Sequence, residues 1–385
     1  MLFNMFMAGR ISFGPGVSSL IGEKASALGG KRVFLATDRT MEELGTAEKI
    51  VSFIDAAGLT VVPFYEVEPE PSVETVDSAT ALAKSEGCDL VVGLGGGSCL
   101  DVAKATSILL TNEGSAARYQ GLGLVKNPGV PKIMIPTTAG TGSEVTFTSV
   151  LIRKSDGVKG GINGDQLYPE YSLLDPELTV SMPPSVTAAT GMDALAHALE
   201  SYTSKQASPF SDMFAEAAVS RIGRYLRVAV YNGTDIHARS EMMLAALYGG
   251  IALANAGVTA CHALAYPLGS MFGIGHGQAN ALLLPYVAHF NAMALPEKFA
   301  SAAGLLGGSF EEENIWDAAS MCSALLHQLV ADIALPSTLS DLDSRITEEH
   351  FATMAEKAMG VARPMANNPR TMTTDLCMEI YKEAM

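Results

Sequence analysis

Residues 90–104 read LVVGLGGGSCLDVAK, and the fold is decided there. A short apolar run, Leu90–Gly93, leads into Gly95, Gly96 and Gly97, and Ser98 then opens a helix-forming stretch. The order is strand, glycine turn, helix. Ser98 and Asp101 have the S-x-x-D spacing of a capping box, which marks a helix start. Glycines let a backbone approach a ligand closely, and the free N–H groups of a helix N-terminus favour a phosphate. A tight turn without a ligand accounts for the same letters. The pattern is not G-x-G-x-x-G, so the ordinary dinucleotide fingerprint is absent.

The same alternation continues on both sides. Arg32–Thr37 (RVFLAT) is a strand-like run followed by Asp38, Glu42–Ala57 reads as a helix, and Leu59–Phe64 (LTVVPF) as a second strand. Val73–Glu86 is a further helix, and Lys132–Ile135 (KIMI) is a strand after the glycine loop. Strands separated by helices of this length imply βαβ units and a parallel sheet. The next loop, PTTAGTGSEVT (Pro136–Thr146), is mostly Thr, Ser and Gly, with hydroxyls suited to a diphosphate or ribose. Two polar loops at the same ends of neighbouring strands stand where α/β sheets bind ligands. Asp38 suits a ribose hydroxyl and would repel a 2′-phosphate, although an Asp after a strand is also an ordinary turn residue.

Past about Pro183 the strand-like runs nearly vanish. Ala-, Leu- and Met-rich helical segments follow: Pro184–Thr203, Pro209–Val230, His237–Ala256, Trp316–Ala331 and Thr347–Ala362. Pro169–Pro184 reads as a loop and the natural boundary. The expected organisation is an α/β nucleotide-type domain with a parallel sheet over residues 1–182, then an all-α domain over residues 183–385. A chain of 385 residues agrees with two or three domains at about 150 residues each.

Composition narrows the function. A net charge of −16 argues against a nucleic-acid partner, which needs clustered Lys and Arg. Cys88, Cys99, Cys261, Cys322 and Cys377 are odd in number and form no CxxC pair, so they read as reduced thiols in a cytoplasmic protein. The opening MLFNMFMAGR is apolar only as far as Arg10 and has no basic region before it. It reads as neither a spanning helix nor a signal peptide, and no membrane partner is expected. Its Phe3–Phe6 stretch suits a strand that pairs across an interface between copies.

A metal constellation lies in the helical half. Asp193 and His197 are four apart in TGMDALAHALE and share a helix face in apolar company. His262 and His276 come later, with Gly269, Gly273 and Gly275 available to bend the chain back between them. One carboxylate and three imidazoles form a plausible set for Fe(II) or Zn(II). A hydrogen-bonded Asp/His pair and two ordinary histidines fit the spacing equally well. His237, His289, His327 and His350 read as ordinary histidines.

The stretches GGGSCLDVAK (95–104), PTTAGTGSEVT (136–146), DPELTVSMPPSVTAATGMDALAHALESY (175–202) and HALAYPLGSMFGIGHGQANALLLPYV (262–287), with NPR (368–370), resemble the iron-containing (group III) alcohol dehydrogenases in order and spacing. The resemblance spans essentially the whole chain. It implies the dehydroquinate synthase-like, iron-containing alcohol dehydrogenase fold, in which the first domain binds a dinucleotide and the second a metal, and NAD(H)-linked interconversion of a small alcohol with its aldehyde or ketone. By resemblance, Asp193, His197, His262 and His276 hold Fe(II), or Zn(II). Gly96, Gly97, Ser98 and Asp101 belong to the cofactor loop, with Thr137, Thr138 and Thr141 helping at the diphosphate. Asp38 favours NAD over NADP, and Lys159 and Leu178 lie along the ribose and nicotinamide. At least a homodimer is implied.

Two positions depart from the family pattern. Tyr266 stands where many members carry a histidine of the proton path, so a phenol or water must substitute, and Tyr266 is the catalytic candidate. Glu70, Pro71 and Ser72 stand where an Asn-Pro-Thr is common near the adenosine. Rival readings are a hydroxyacid–oxoacid transhydrogenase, a glycerol dehydrogenase or maleylacetate reductase sibling, and a non-catalytic nucleotide-binding protein.

Overall fold

A computed structural model describes residues 3–309 and 314–385. Met1 and Leu2, where the opening apolar run begins, lie outside the described residues. The chain divides into two compact units. One comprises Met7–Thr138 and Gly142–Val180, and the other comprises Ala139–Thr141 and Ser181–Met385 with the start of the chain up to Phe6.

The first unit is built on β1 (Arg10–Phe13), β2 (Arg32–Ala36), β3 (Thr60–Phe64), β4 (Leu90–Gly95), β5 (Gly121–Leu122), β6 (Lys132–Pro136), β7 (Thr148–Arg153), β8 (Val158–Asn163) and β9 (Tyr171–Leu174). Six of these form one sheet in the order β1-β9-β6-β4-β2-β3, every pair parallel. Side chains alternate across it, as the period of two requires. Val33, Leu35, Leu90, Val92, Leu94, Ile133 and Ile135 enter one core with residues of α1 (Ile21–Ala27) and α3 (Thr46–Ala56). Phe34, Ala36, Val91 and Met134 enter another with α4 (Val73–Ser85) and α5 (Gly97–Leu109). Both faces are covered, which is why these strands read as continuous apolar runs.

Several local expectations change. Residues 39–56 form α2 (Arg39–Glu43) and α3 separated by Gly45, whose φ of 70° ends one helix and starts the next. Pro169–Pro184 is not all loop, because Tyr171–Leu174 pairs in parallel with both β1 and β6. Four residues, one of them Ser172, between Pro169 and Pro176 are too few for periodicity to declare a strand. The sequence reading places no strand at residues 148–163, where β7 and β8 form an antiparallel hairpin. Phe3–Phe6 is not a strand; the Phe6 N–H donates to Asn255 Oδ1 (2.8 Å) and Asn255 Nδ2 donates to the Phe6 carbonyl (2.9 Å).

The second unit is helical: α6 (Pro184–Thr203), α7 (Pro209–Tyr231), α8 (Ile236–Ala256), α9 (Ala260–Phe272), α10 (His276–Ala292), α11 (Pro296–Leu305), α12 (Ile315–Asp332) and shorter helices after them. Helix α6 packs against α7, α8 and α10. Every residue from Gly191 to Thr203 is buried, so α6 is the axis of this unit. Among the described residues no single helix is long and apolar enough to cross a membrane.

Candidate active site

Because α6 is buried on every side from Gly191 onward, the polar residues of that stretch are costly unless they are partnered. Asp193, His197 and Glu200 stand at i, i+4 and i+7 and form one stripe along it. Helix α9 places His262 in its first turn, and α10 begins with His276. At Gly277 a Cβ would lie 2.5 Å from the Ala189 carbonyl oxygen, so only glycine allows α10 to start this close to α6.

This packing gathers donors. One ligand atom from each of Asp193, His262 and His276 falls within 4.8 Å of the others. Asp193 Oδ1 is 3.9 Å from His262 Nε2 and 3.7 Å from His276 Nε2. Asp193 and His262 are buried, while the His276 side chain keeps 28% of its exposure. The Asn280 amide nitrogen lies within hydrogen-bond reach of all three acceptors, at 2.8, 3.3 and 3.2 Å. The sequence reading did not include Asn280; its i+4 offset from His276 is the signal that finds it.

His197 is not one of the three mutually close donors. Its ring stacks on that of His262, with centroids 4.8 Å apart and planes at 29°. His197 Nδ1 faces the Gly140 carbonyl at 3.3 Å. A carbonyl only accepts, so the neutral ring carries its proton on Nδ1 and keeps a lone pair on Nε2. Burial pushes the Asp193 carboxyl up, but the His197, His276 and His262 rings and the Asn280 amide outweigh it and hold it at about 2. Burial pushes the His197 imidazole down, toward the neutral form. A carboxylate beside three imidazoles, without thiolates, is a donor set that fits Fe(II) or Zn(II).

Tyr266, one turn after His262, is half-buried and stacks on the His276 ring, with centroids 5.8 Å apart and planes at 30°. Among the histidines read as ordinary, His237 meets the Tyr225 hydroxyl, His350 bonds Thr347, and His327 stands edge-on to Tyr286.

The glycine loop of the α/β unit has its own geometry. Gly95 has a φ of 141°, and a Cβ there would lie 2.6 Å from Cys99 Sγ. The turn therefore requires glycine. The Thr137 N–H donates to the Gly95 carbonyl (3.0 Å), which ties the two polar loops together, and Thr138 lies beside Gly96. The expected Ser98–Asp101 capping box does not form. Helix α5 starts at Gly97 with Gly96 as its N-cap and no side-chain cap. Asp101 is engaged elsewhere: Ser143 Oγ donates to Oδ1 (2.6 Å), the Val150 N–H donates to Oδ2 (2.8 Å), and Lys104 lies 3.4 Å from Oδ1. Ser98 thus sits among the free N–H groups of the first turn.

Asp38 caps α2 through the Met41 N–H (3.0 Å) and accepts from the Cys99 thiol (3.3 Å). The Lys159 ammonium donates to Glu70 at 2.9 Å, and Glu70 itself has a φ of 51°. Leu178 is buried within the sheet's core, and Thr141 belongs to the helical unit.

Residues 8–176 match the family described as "Iron-containing alcohol dehydrogenase", and residues 187–385 match "Fe-containing alcohol dehydrogenase family, C-terminal". The chain is 40% identical to "Long-chain-alcohol dehydrogenase 1" of Geobacillus thermodenitrificans, over 97% of this chain and 96% of that one. It is 34% identical to "NAD-dependent methanol dehydrogenase" of Bacillus methanolicus, over 99% and 100%. The solved structure of a 1,3-propanediol oxidoreductase superposes with a TM-score of 0.97 at 38% identity, over the whole of both chains.

Proposed function

The chain belongs to the iron-containing alcohol dehydrogenase family, and from that premise we propose that it is an NAD(H)-linked enzyme interconverting a small primary or secondary alcohol with its aldehyde or ketone. The observation that carries the proposal is the buried convergence of Asp193, His262 and His276 on one point. His197, whose tautomer leaves Nε2 available, is read as the fourth ligand, and Fe(II) as the resident ion, with Zn(II) compatible. When bound, the cation would supply Lewis acidity and the nicotinamide would supply the hydride-transfer chemistry.

The protein's own part is to hold and orient. Asp193 stays ionised while buried, so it contributes a full negative charge to the cation site. The N-terminus of α5, with Gly96, Gly97 and Ser98, presents backbone N–H groups to a diphosphate, and Thr137, Thr138 and Thr141 add hydroxyls. Asp38, fixed by two hydrogen bonds at the end of β2, selects a ribose that lacks a 2′-phosphate. Lys159 and Leu178 are read as lining the rest of the cofactor. The Tyr266 phenol, stacked on His276, exchanges the alcohol proton with water. Residues 1–182 are read as the cofactor domain and 183–385 as the metal domain. The exposed Phe3, Met5 and Phe6 support association into at least a homodimer.

The test is His262→Ala. The variant is expected to lose bound metal, by elemental analysis, and NADH-coupled alcohol oxidation together. Full turnover in metal-free protein contradicts the proposal.

A further inference from the structure

The His262 ring has two nitrogens, and only a ring with its proton on Nδ1 offers Nε2 to a cation. In the structure Nε2 faces Asp193 and Asn280, while Nδ1 is in hydrogen-bonding contact with the Glu200 carboxylate. Glu200 is 2% exposed and lies seven residues after Asp193 on α6. Its other oxygen, Oε1, accepts from the Thr259 N–H (2.9 Å), the Thr259 hydroxyl (2.8 Å), the Cys261 N–H (3.0 Å) and the His262 N–H (3.3 Å). Three of these donors are backbone groups at the start of α9, where the N-cap residue Thr259 supplies no side-chain cap. A carboxylate from another helix therefore caps α9 and at the same time receives the ring it carries.

We infer that Glu200 is a positioning residue that fixes the orientation and tautomer of His262 for cation binding. The inference rests on the metal reading above. Capping alone needs only Oε1, and a neutral amide oxygen would serve there. The second contact is different, because a carboxylate can only accept, so it forces the neutral ring to carry its proton on Nδ1. The His197 ring is held in the same way by the Gly140 carbonyl. Helix α6 thus supplies Asp193 and His197 directly and sets the orientation of His262 through Glu200.

Glu200→Gln separates the two roles. The amide nitrogen cannot occupy the Oε1 position, where four donors point, so it faces His262 and donates to Nδ1. The ring proton is then driven to Nε2, and the lone pair is lost from the side that faces Asp193. In metal-stripped protein, Zn(II) or Co(II) affinity of Glu200→Gln is expected to weaken by roughly 10- to 100-fold, with the Co(II) visible spectrum altered. Circular dichroism of the metal-free variant is expected to match the parent. Equal affinity and an identical Co(II) spectrum in a folded variant overturn the inference.

If Glu200→Gln does not fold, the unaltered protein decides. In Zn(II)-loaded protein labelled with ¹⁵N-histidine, His262, assigned by its loss in His262→Asn, is expected to show a protonated Nδ1 and a metal-bound Nε2. An unprotonated Nδ1 overturns the inference. Failure of the unaltered protein to take up either ion would instead remove the metal reading beneath it.

Discussion

Tyr266 stacks on His276, and its phenol is the one proton-bearing group it adds beside that ring. Tyr266→Phe keeps the ring and removes the hydroxyl. Turnover is expected to fall by roughly 10²-fold, or the pH profile to shift, with metal content unchanged. An unchanged profile removes Tyr266 from the proton path. Glu144 gives a second test, in the α/β unit. Burial pushes its carboxyl up to about 7, against the lowering effects of its backbone N–H and Lys104. The folded protein keeps the proton up to that pH, whereas the unfolded chain releases it near 4.5. Stability present below pH 4.5 is therefore lost as the pH rises through 7, by roughly 3 kcal/mol at most. Glu144→Gln is expected to flatten that slope in urea titrations at pH 5 and pH 8; a slope equal to the parent's contradicts the assignment. Asp193, His262 and His276, which meet at the metal cluster, were legible through the family resemblance of the stretches that carry them, since their spacing alone fits ordinary roles equally well. Glu200 was not singled out, because its partner His262 lies 62 residues away in sequence, and Asn280 carried only the i+4 offset from His276 while its other partner, Asp193, lies 87 residues away.

At the scale of the element, packing distance controls the site. Gly277 allows α10 to begin against the Ala189 carbonyl, which brings His276 within 3.7 Å of Asp193. Gly277→Val is expected to cost about 1–3 kcal/mol in chemical denaturation and to weaken metal binding, because two added methyls join a Cβ with no space. Unaltered metal affinity contradicts this account of α10. Strands β2, β4 and β6 were legible because helices cover both sheet faces and leave continuous apolar runs. Strand β9 was not, because YSLL lies between prolines, where turn chemistry dominates the reading. The capping box failed for a tertiary reason: Ser143 and the Val150 N–H take the Asp101 carboxylate that local spacing assigns to the helix start.

At the scale of the whole molecule, the change from alternating strands and helices to continuous helix was readable from composition alone, since βαβ periodicity stops where Ala- and Leu-rich segments begin. Composition could not show that Ala139–Thr141 clusters with the helical unit, because that depends on contacts made far along the chain. The account's central claim is that Asp193, His197, His262 and His276 bind one transition-metal ion. Anomalous diffraction at the iron absorption edge, from crystals loaded with Fe(II) under anaerobic conditions, tests this most directly. The predicted result is a single strong peak bonded at about 2.0–2.2 Å to the Asp193 carboxylate and the three imidazoles. No peak among these residues, or a peak that leaves any of the four side chains turned away, would contradict it.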